Sequence, residues 1–213
     1  MTEATKITKK SPPTRRREKI SIPVYNRRLV LKSEQAKRIA QRGFRRTASS
    51  LYRIDVILRI VGDRAHAEQV EEMITDLITA EHDAIQTEKK RMEKLVSDNG
   101  ITELPEYTHP AEIVLPISSP QSSRFVALIQ EVDSLMPLLD TLWLNHIINN
   151  TQRSQGAWSW QTRVLSLGRR LVNIEMRAMK AARSRGKEAE VKNELAETPE
   201  SLRDEDVDQA AVA

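Results

Sequence analysis

Residues 19–47 read KISIPVYNRRLVLKSEQAKRIAQRGFRRT. Two short alternating runs open this stretch. In the first, Ile20, Ile22 and Val24 alternate with Lys19, Ser21, Pro23 and Tyr25, and Pro23 rules out a central strand because it cannot donate to a ladder. In the second, after Asn26, Leu29 and Leu31 fall on one face. Arg28, Val30 and Lys32 then point to the other, since successive side chains alternate along a strand. Either run, 19–25 or 27–32, can supply the strand. Ser33 is a good N-cap for EQAKRIAQR, in which Ala36, Ile39 and Ala40 make an apolar stripe and Lys37, Arg38 and Arg42 stay outside. Gly43 suits the left-handed position that ends a helix. Thr47 is a second N-cap candidate, and Leu51, Ile54, Leu58 and Val61 then recur at three- and four-residue steps. The order is strand, helix, glycine-containing turn, helix.

Further along, the pattern is helical. A long acidic helix is predicted from about Asp63 to Asp98, with Val70, Met73, Leu77, Ile85, Met92 and Leu95 inward and Asn99-Gly100 as its stop. ITELPEYTHP reads as a loop and AEIVLPI as a short strand. A helix from about Ser122 presents Phe125, Leu128, Ile129, Val132 and Leu135, and Pro137 is expected to kink or restart it. A last helix, from about Ala157 to Arg185, carries Trp160, Val164, Leu167, Leu171, Ile174 and Ala178 in alternating four- and three-residue steps. That seam fits bundle packing or a dimeric coiled coil. The fold class expected is therefore mainly α with short β strands: a ribbon-helix-helix-like module at 19–62, then a helical bundle at 63–186. A disordered basic arm is expected at 1–18 and a disordered acidic tail at 187–213.

The net charge of +4 over 213 residues is a cancellation. Residues 1–65 carry 18 Lys/Arg against 5 Asp/Glu, and residues 66–152 carry 5 against 15. Residues 153–187 carry 9 against 1, and residues 188–213 carry 2 against 9. A chain so segregated has a positive pole suited to a polyanion.

Several function classes find no support. Cysteine is absent, which removes disulfides, thiol catalysis and thiolate metal sites and points to a reducing cytoplasm. The N-terminus has no apolar segment of signal-peptide type, and no run approaches a membrane span. His66, His82, His109 and His146 are scattered without ligand spacing, and no nucleophile-elbow or phosphate-loop motif occurs. No catalytic residue, metal or cofactor is expected, and no membrane partner.

Double-stranded DNA is the expected partner. A two-stranded ribbon fits the major groove and reads base edges with side chains at i, i+2 and i+4, the spacing of Arg28, Val30 and Lys32. One short strand cannot make that ribbon, so two copies would pair and the chain would be a homodimer. Phosphate contacts are expected from Arg15, Arg16, Arg17, Arg27, Lys37, Arg38, Arg45 and Arg46, and from free backbone N–H groups at Thr47. A helix-turn-helix around Gly43 competes within the same class, with Ser49, Ser50 and Arg53 as readers. A structural or accessory protein of a DNA-transfer (relaxosome) complex is the rival from another class.

Three segments, EKISIPVYNRRLVLKSEQAKR, EYTHPAEIVLPISSPQSSRF and LLDTLWL…W…RVLSLGRRL, together resemble the AcaB-like regulators of conjugative plasmids and integrative conjugative elements. The resemblance covers roughly residues 18–182. It implies a dimeric, ribbon-helix-helix-related DNA-binding protein with a helical extension. It further implies an activator of transfer-gene transcription that meets the transcription machinery.

Overall fold

The computed structural model describes residues 21–62 and 64–196. The basic arm with Arg15, Arg16 and Arg17 and the end of the acidic tail lie outside the described residues. Strand β1 spans Tyr25–Leu31, so the second alternating run forms the sheet. Its partner is β2, Ala111–Ile117, paired antiparallel with Arg28 opposite Val114 and Val30 opposite Glu112. The ribbon is thus built within one chain. The expectation that two copies must pair to make it does not hold, because AEIVLPI supplies a second alternating strand that places Leu115 and Ile117 inward beside Leu29 and Leu31. Pro116 is tolerated because each strand of a two-stranded sheet is an edge.

Helix α1 runs Glu34–Ile39, and the Ser33 hydroxyl caps it by accepting from the Ala36 N–H. The expected stop at Gly43 is absent. The chain passes through a π-helical segment, Ala40–Phe44, directly into α2, Arg45–Val61. Gly43 is not in the left-handed region, which among the described glycines only Gly100 and Gly186 adopt. What Gly43 provides is space: a Cβ there would sit 2.8 Å from Leu165 Cδ2. Thr47, expected as an N-cap, lies inside the helical path, and its hydroxyl donates to the Gly43 carbonyl at 2.8 Å. Packing against the bundle overrides the turn signal, and π geometry absorbs the extra residue. Neither the turn of a helix-turn-helix nor that of a ribbon-helix-helix is present.

Four further helices complete the fold: α3 (Arg64–Asp98), α4 (Pro120–Leu144), α5 (Asn150–Ser184) and α6 (Glu188–Ala196). On α3 the buried line is Ile74, Ile78, Ile85, Met92 and Val96, while Met73 is exposed. Val70, Leu77 and Leu95, also expected inward, are partly buried against the same cluster, so of the expected face only Met73 is turned out. Pro137 does not interrupt α4. Capping boxes at Ser119/Ser122 and Asn149/Gln152 start α4 and α5, so α5 begins seven residues before the expected Ala157. Residues 188–196, expected within an unstructured tail, are helical, and Val191 is buried with Ile57 and Ala182.

The described residues are mainly helical with one two-stranded antiparallel sheet. Leu29, Leu31, Phe44, Leu51 and Ile54 share one apolar cluster with Ile85 of α3, Phe125 and Leu135 of α4, and Val164 and Leu171 of α5. The boundary expected at residue 62 falls at the α2–α3 joint, and the core runs across it. Among the described residues no helix is long and apolar enough to cross a membrane.

Candidate nucleic-acid interface

The ribbon has two unlike faces. Leu29, Leu31, Leu115 and Ile117 are buried. Side-chain alternation turns Arg28 and Val30 of β1, and Glu112 and Val114 of β2, the other way. Val30 is 62% exposed and Val114 50%, and the Arg28 side chain is 78% exposed. Lys32, one residue past the strand, is also exposed. Arg28 Nη1 stands 3.4 Å from Glu112 Oε1, a cross-strand pair on the outward face. Arg28 and Val30 therefore lie on one solvent-facing surface, joined there by two β2 residues, and Lys32 is exposed just past its end.

Behind the ribbon, a buried carboxylate fixes the junction between β1 and α1. Asp133 of α4 accepts the Lys32 and Ser33 backbone N–H groups at 3.0 and 2.7 Å and the Ser33 hydroxyl at 2.8 Å. Arg27, expected as a phosphate contact, is half-buried and donates to Gln130 of α4 at 2.9 Å. Lys37, expected likewise, is buried. Its ammonium donates to Glu34 at 2.9 Å and to the His109 carbonyl at 2.5 Å. The hydrogen bond from Lys37 holds the Glu34 carboxyl below its ordinary value. Lys37 so ties α1 to the loop that leads into β2, and a DNA backbone cannot reach it without breaking that tie.

The remaining candidates divide. Arg38 and Arg45 are exposed. Arg46 is partly covered and lies 3.8 Å from Glu175 of α5. Thr47 is 1% exposed and inside a helix, so it offers no free N–H groups to a phosphate. Ser49 and Ser50 are buried, and Arg53 is ion-paired to Glu175 at 2.7 Å. Two of the three readers of a helix-turn-helix are buried and the third is tied to α5, and the turn is missing, which overturns that alternative. Glu175, itself 4% exposed, also accepts the Ser50 hydroxyl at 2.9 Å and fastens α2 to α5.

Glu112, Val114 and Asp133 were not singled out in the sequence. The alternation in AEIVLPI could have nominated the first two; nothing local marks Asp133 as a clamp. Among the described residues, no group of three or more His, Asp or Glu could hold a metal ion.

A comparison with protein-family models finds no match, and neither does one with curated proteins. Among solved structures, the chain is similar to the crystal structure of selenomethionine-containing AcaB from uropathogenic E. coli. The two are 39% identical with a TM-score of 0.80, over 90% of this chain and 98% of that one. Identity at that level over nearly the whole of both chains establishes common descent as well as a common fold: the chain belongs to the AcaB family.

Proposed function

We propose that this chain is a sequence-specific regulator that binds double-stranded DNA by laying the outward face of its ribbon in the major groove. One observation carries the reading: Arg28 and Val30 share a solvent-facing surface, with Lys32 exposed at its end, on a ribbon clamped from behind by Asp133. Two strands about 4.8 Å apart fit a groove about 12 Å wide. Arg28 and Lys32 can donate to guanine O6 and N7, and Val30 can meet a thymine methyl. Exposed Arg38 and Arg45 are candidates for phosphate contacts, as is the basic arm. The AcaB family resemblance supports a role in transcription of conjugative-transfer genes, as an activator working in the cytoplasm with the transcription machinery. It also supports a homodimer.

The test is selection of bound fragments from the source genome, followed by competition binding on the selected site. Arg28→Ala and Lys32→Ala are each expected to cost about 1–3 kcal/mol on that site and to relax base preference. Arg45→Ala is expected to weaken all duplexes alike and to reduce the salt slope by about one. A discrete symmetric footprint separates a regulator from a scaffold with incidental DNA contact. Full affinity and unchanged preference in both ribbon variants would overturn the assignment.

A further inference from the structure

The outward face of the ribbon is not uniformly cationic. Glu112 stands on it opposite Val30 and diagonal to Arg28, with its side chain 57% exposed and 3.4 Å from the Arg28 guanidinium. Diagonal cross-strand neighbours are about 7–8 Å apart at Cα, within reach of two long side chains. In the free protein the pair is largely solvated, and exposed pairs of this kind contribute little to stability. Its two members are therefore free to re-aim.

We infer that Arg28 and Glu112 together read a single G·C base pair, the guanidinium taking the guanine and the carboxylate taking the cytosine. This rests on the ribbon entering the major groove as proposed above. Docking removes water from the outward face, and a carboxylate left there without a donor is costly. The bases differ sharply in what they offer it. Cytosine presents the N4 amino group and adenine the N6 amino group; guanine O6 and N7 and thymine O4 only accept. Arg28, beside it, needs the opposite: two acceptors on one base edge, which guanine provides. A G·C pair with guanine toward β1 and cytosine toward β2 satisfies both side chains at once. The reversed pair places acceptors before the carboxylate and a donor before the guanidinium. Glu112 thus acts by rejection. It lowers affinity for duplex DNA in general, through repulsion from phosphates, and makes one base-pair orientation the exception.

The experiment is selection from a randomised duplex library with the full-length chain and with Arg28→Ala, Glu112→Ala and Glu112→Gln, each first shown by thermal melting to fold as the parent does. Three results are expected together. Glu112→Ala binds random duplex about tenfold more tightly than the parent and loses the orientation preference at one G·C position. Arg28→Ala loses the preference at that same position. Glu112→Gln admits adenine there, since an amide bonds adenine N6 and N7 as a pair. If Arg28→Ala relaxes one position while both Glu112 variants keep the parental preference throughout, Glu112 is no reader and the inference falls, with the proposed function standing. If the two residues relax different positions, the single base-pair assignment falls. If no variant alters any preference, the ribbon is not the reading surface and both readings fall.

Discussion

The carboxylate of Asp133 accepts the backbone N–H of Ser33 at 2.7 Å and its hydroxyl at 2.8 Å, across 100 residues of chain. Lys32 N–H bonds the same group at 3.0 Å. Ser33 meanwhile caps α1, so one buried acid sets both where the ribbon ends and where the helix behind it begins. Asp133→Ala should destabilise the protein by about 2–4 kcal/mol, because two backbone N–H groups lose a charged acceptor. Asp133→Asn, which keeps one acceptor oxygen, should lose less. Urea denaturation ranks the two. An alanine variant as stable as the parent would mean the clamp is idle.

Glu175 plays the corresponding part between α2 and α5. It is buried, accepts the Ser50 hydroxyl, and pairs with Arg53 and Arg46. Deleting the carboxylate leaves the buried Ser50 hydroxyl without its acceptor and the partly exposed Arg53 without its ion-pair partner, so Glu175→Ala should cost about 1–3 kcal/mol. Arg53→Ala in the same background should then cost much less than it does alone. A double-mutant cycle in chemical denaturation measures that coupling.

Close packing of α5 on the helical path after the ribbon makes Gly168 a sensitive position. A Cβ there would approach Thr47 Oγ1 to 2.6 Å. The helix-propensity gain of Gly168→Ala, about 1 kcal/mol, should be outweighed by overpacking of about 1–3 kcal/mol. Thr47→Ala removes the obstructing oxygen. The penalty of Gly168→Ala should shrink or reverse in that background, and thermal melting of the four variants decides it.

Asp55, on α2, lines a cavity of about 240 Å³ with Tyr52, Arg59 and Ser118. Burial pushes its carboxyl from an ordinary 3.8 up to about 7, Glu71 adds to the rise, and Arg59 opposes it. The folded state therefore keeps this proton over a range in which the unfolded chain has lost it. Stability from this group is full below about pH 4, declines as pH rises towards 7, and is fully lost above that. Asp55→Asn should flatten this part of the pH profile and raise Tm at pH 8. Melting temperatures of parent and variant at pH 5 and pH 8 give the difference, which should be larger at pH 8.

Local periodicity made much of this structure legible. The run from Arg28 to Lys32 alternates cleanly, so the inward leucines and outward Arg28, Val30 and Lys32 could be read directly. The seam of α5 and the extent of α3 were readable because apolar residues recur over many turns. Pairing was not readable, because nothing near Arg28 names a partner 84 residues away. Gly43 and Thr47 carried ordinary stop and cap signals, and Leu165 and Gly168 on α5 gave those residues other uses. Lys37 lay on a face that looked solvent-bound until the loop before β2 covered it. The outward surface of β1 was therefore visible from one segment. Its acidic member and the clamp behind it needed the three-dimensional contacts.

The ribbon also has a consequence in time. Its first strand is made 84 residues before Glu112, so Arg28 cannot find its partner until α1, α2 and α3 have been synthesised. Closing so long a loop is entropically costly until the intervening helices collapse. A nascent chain that stops before Ala111 carries the basic head and lacks the second strand that makes it a ribbon. Chains cut short in translation would thus lack the outward face that joins Arg28 and Val30 to Glu112 and Val114.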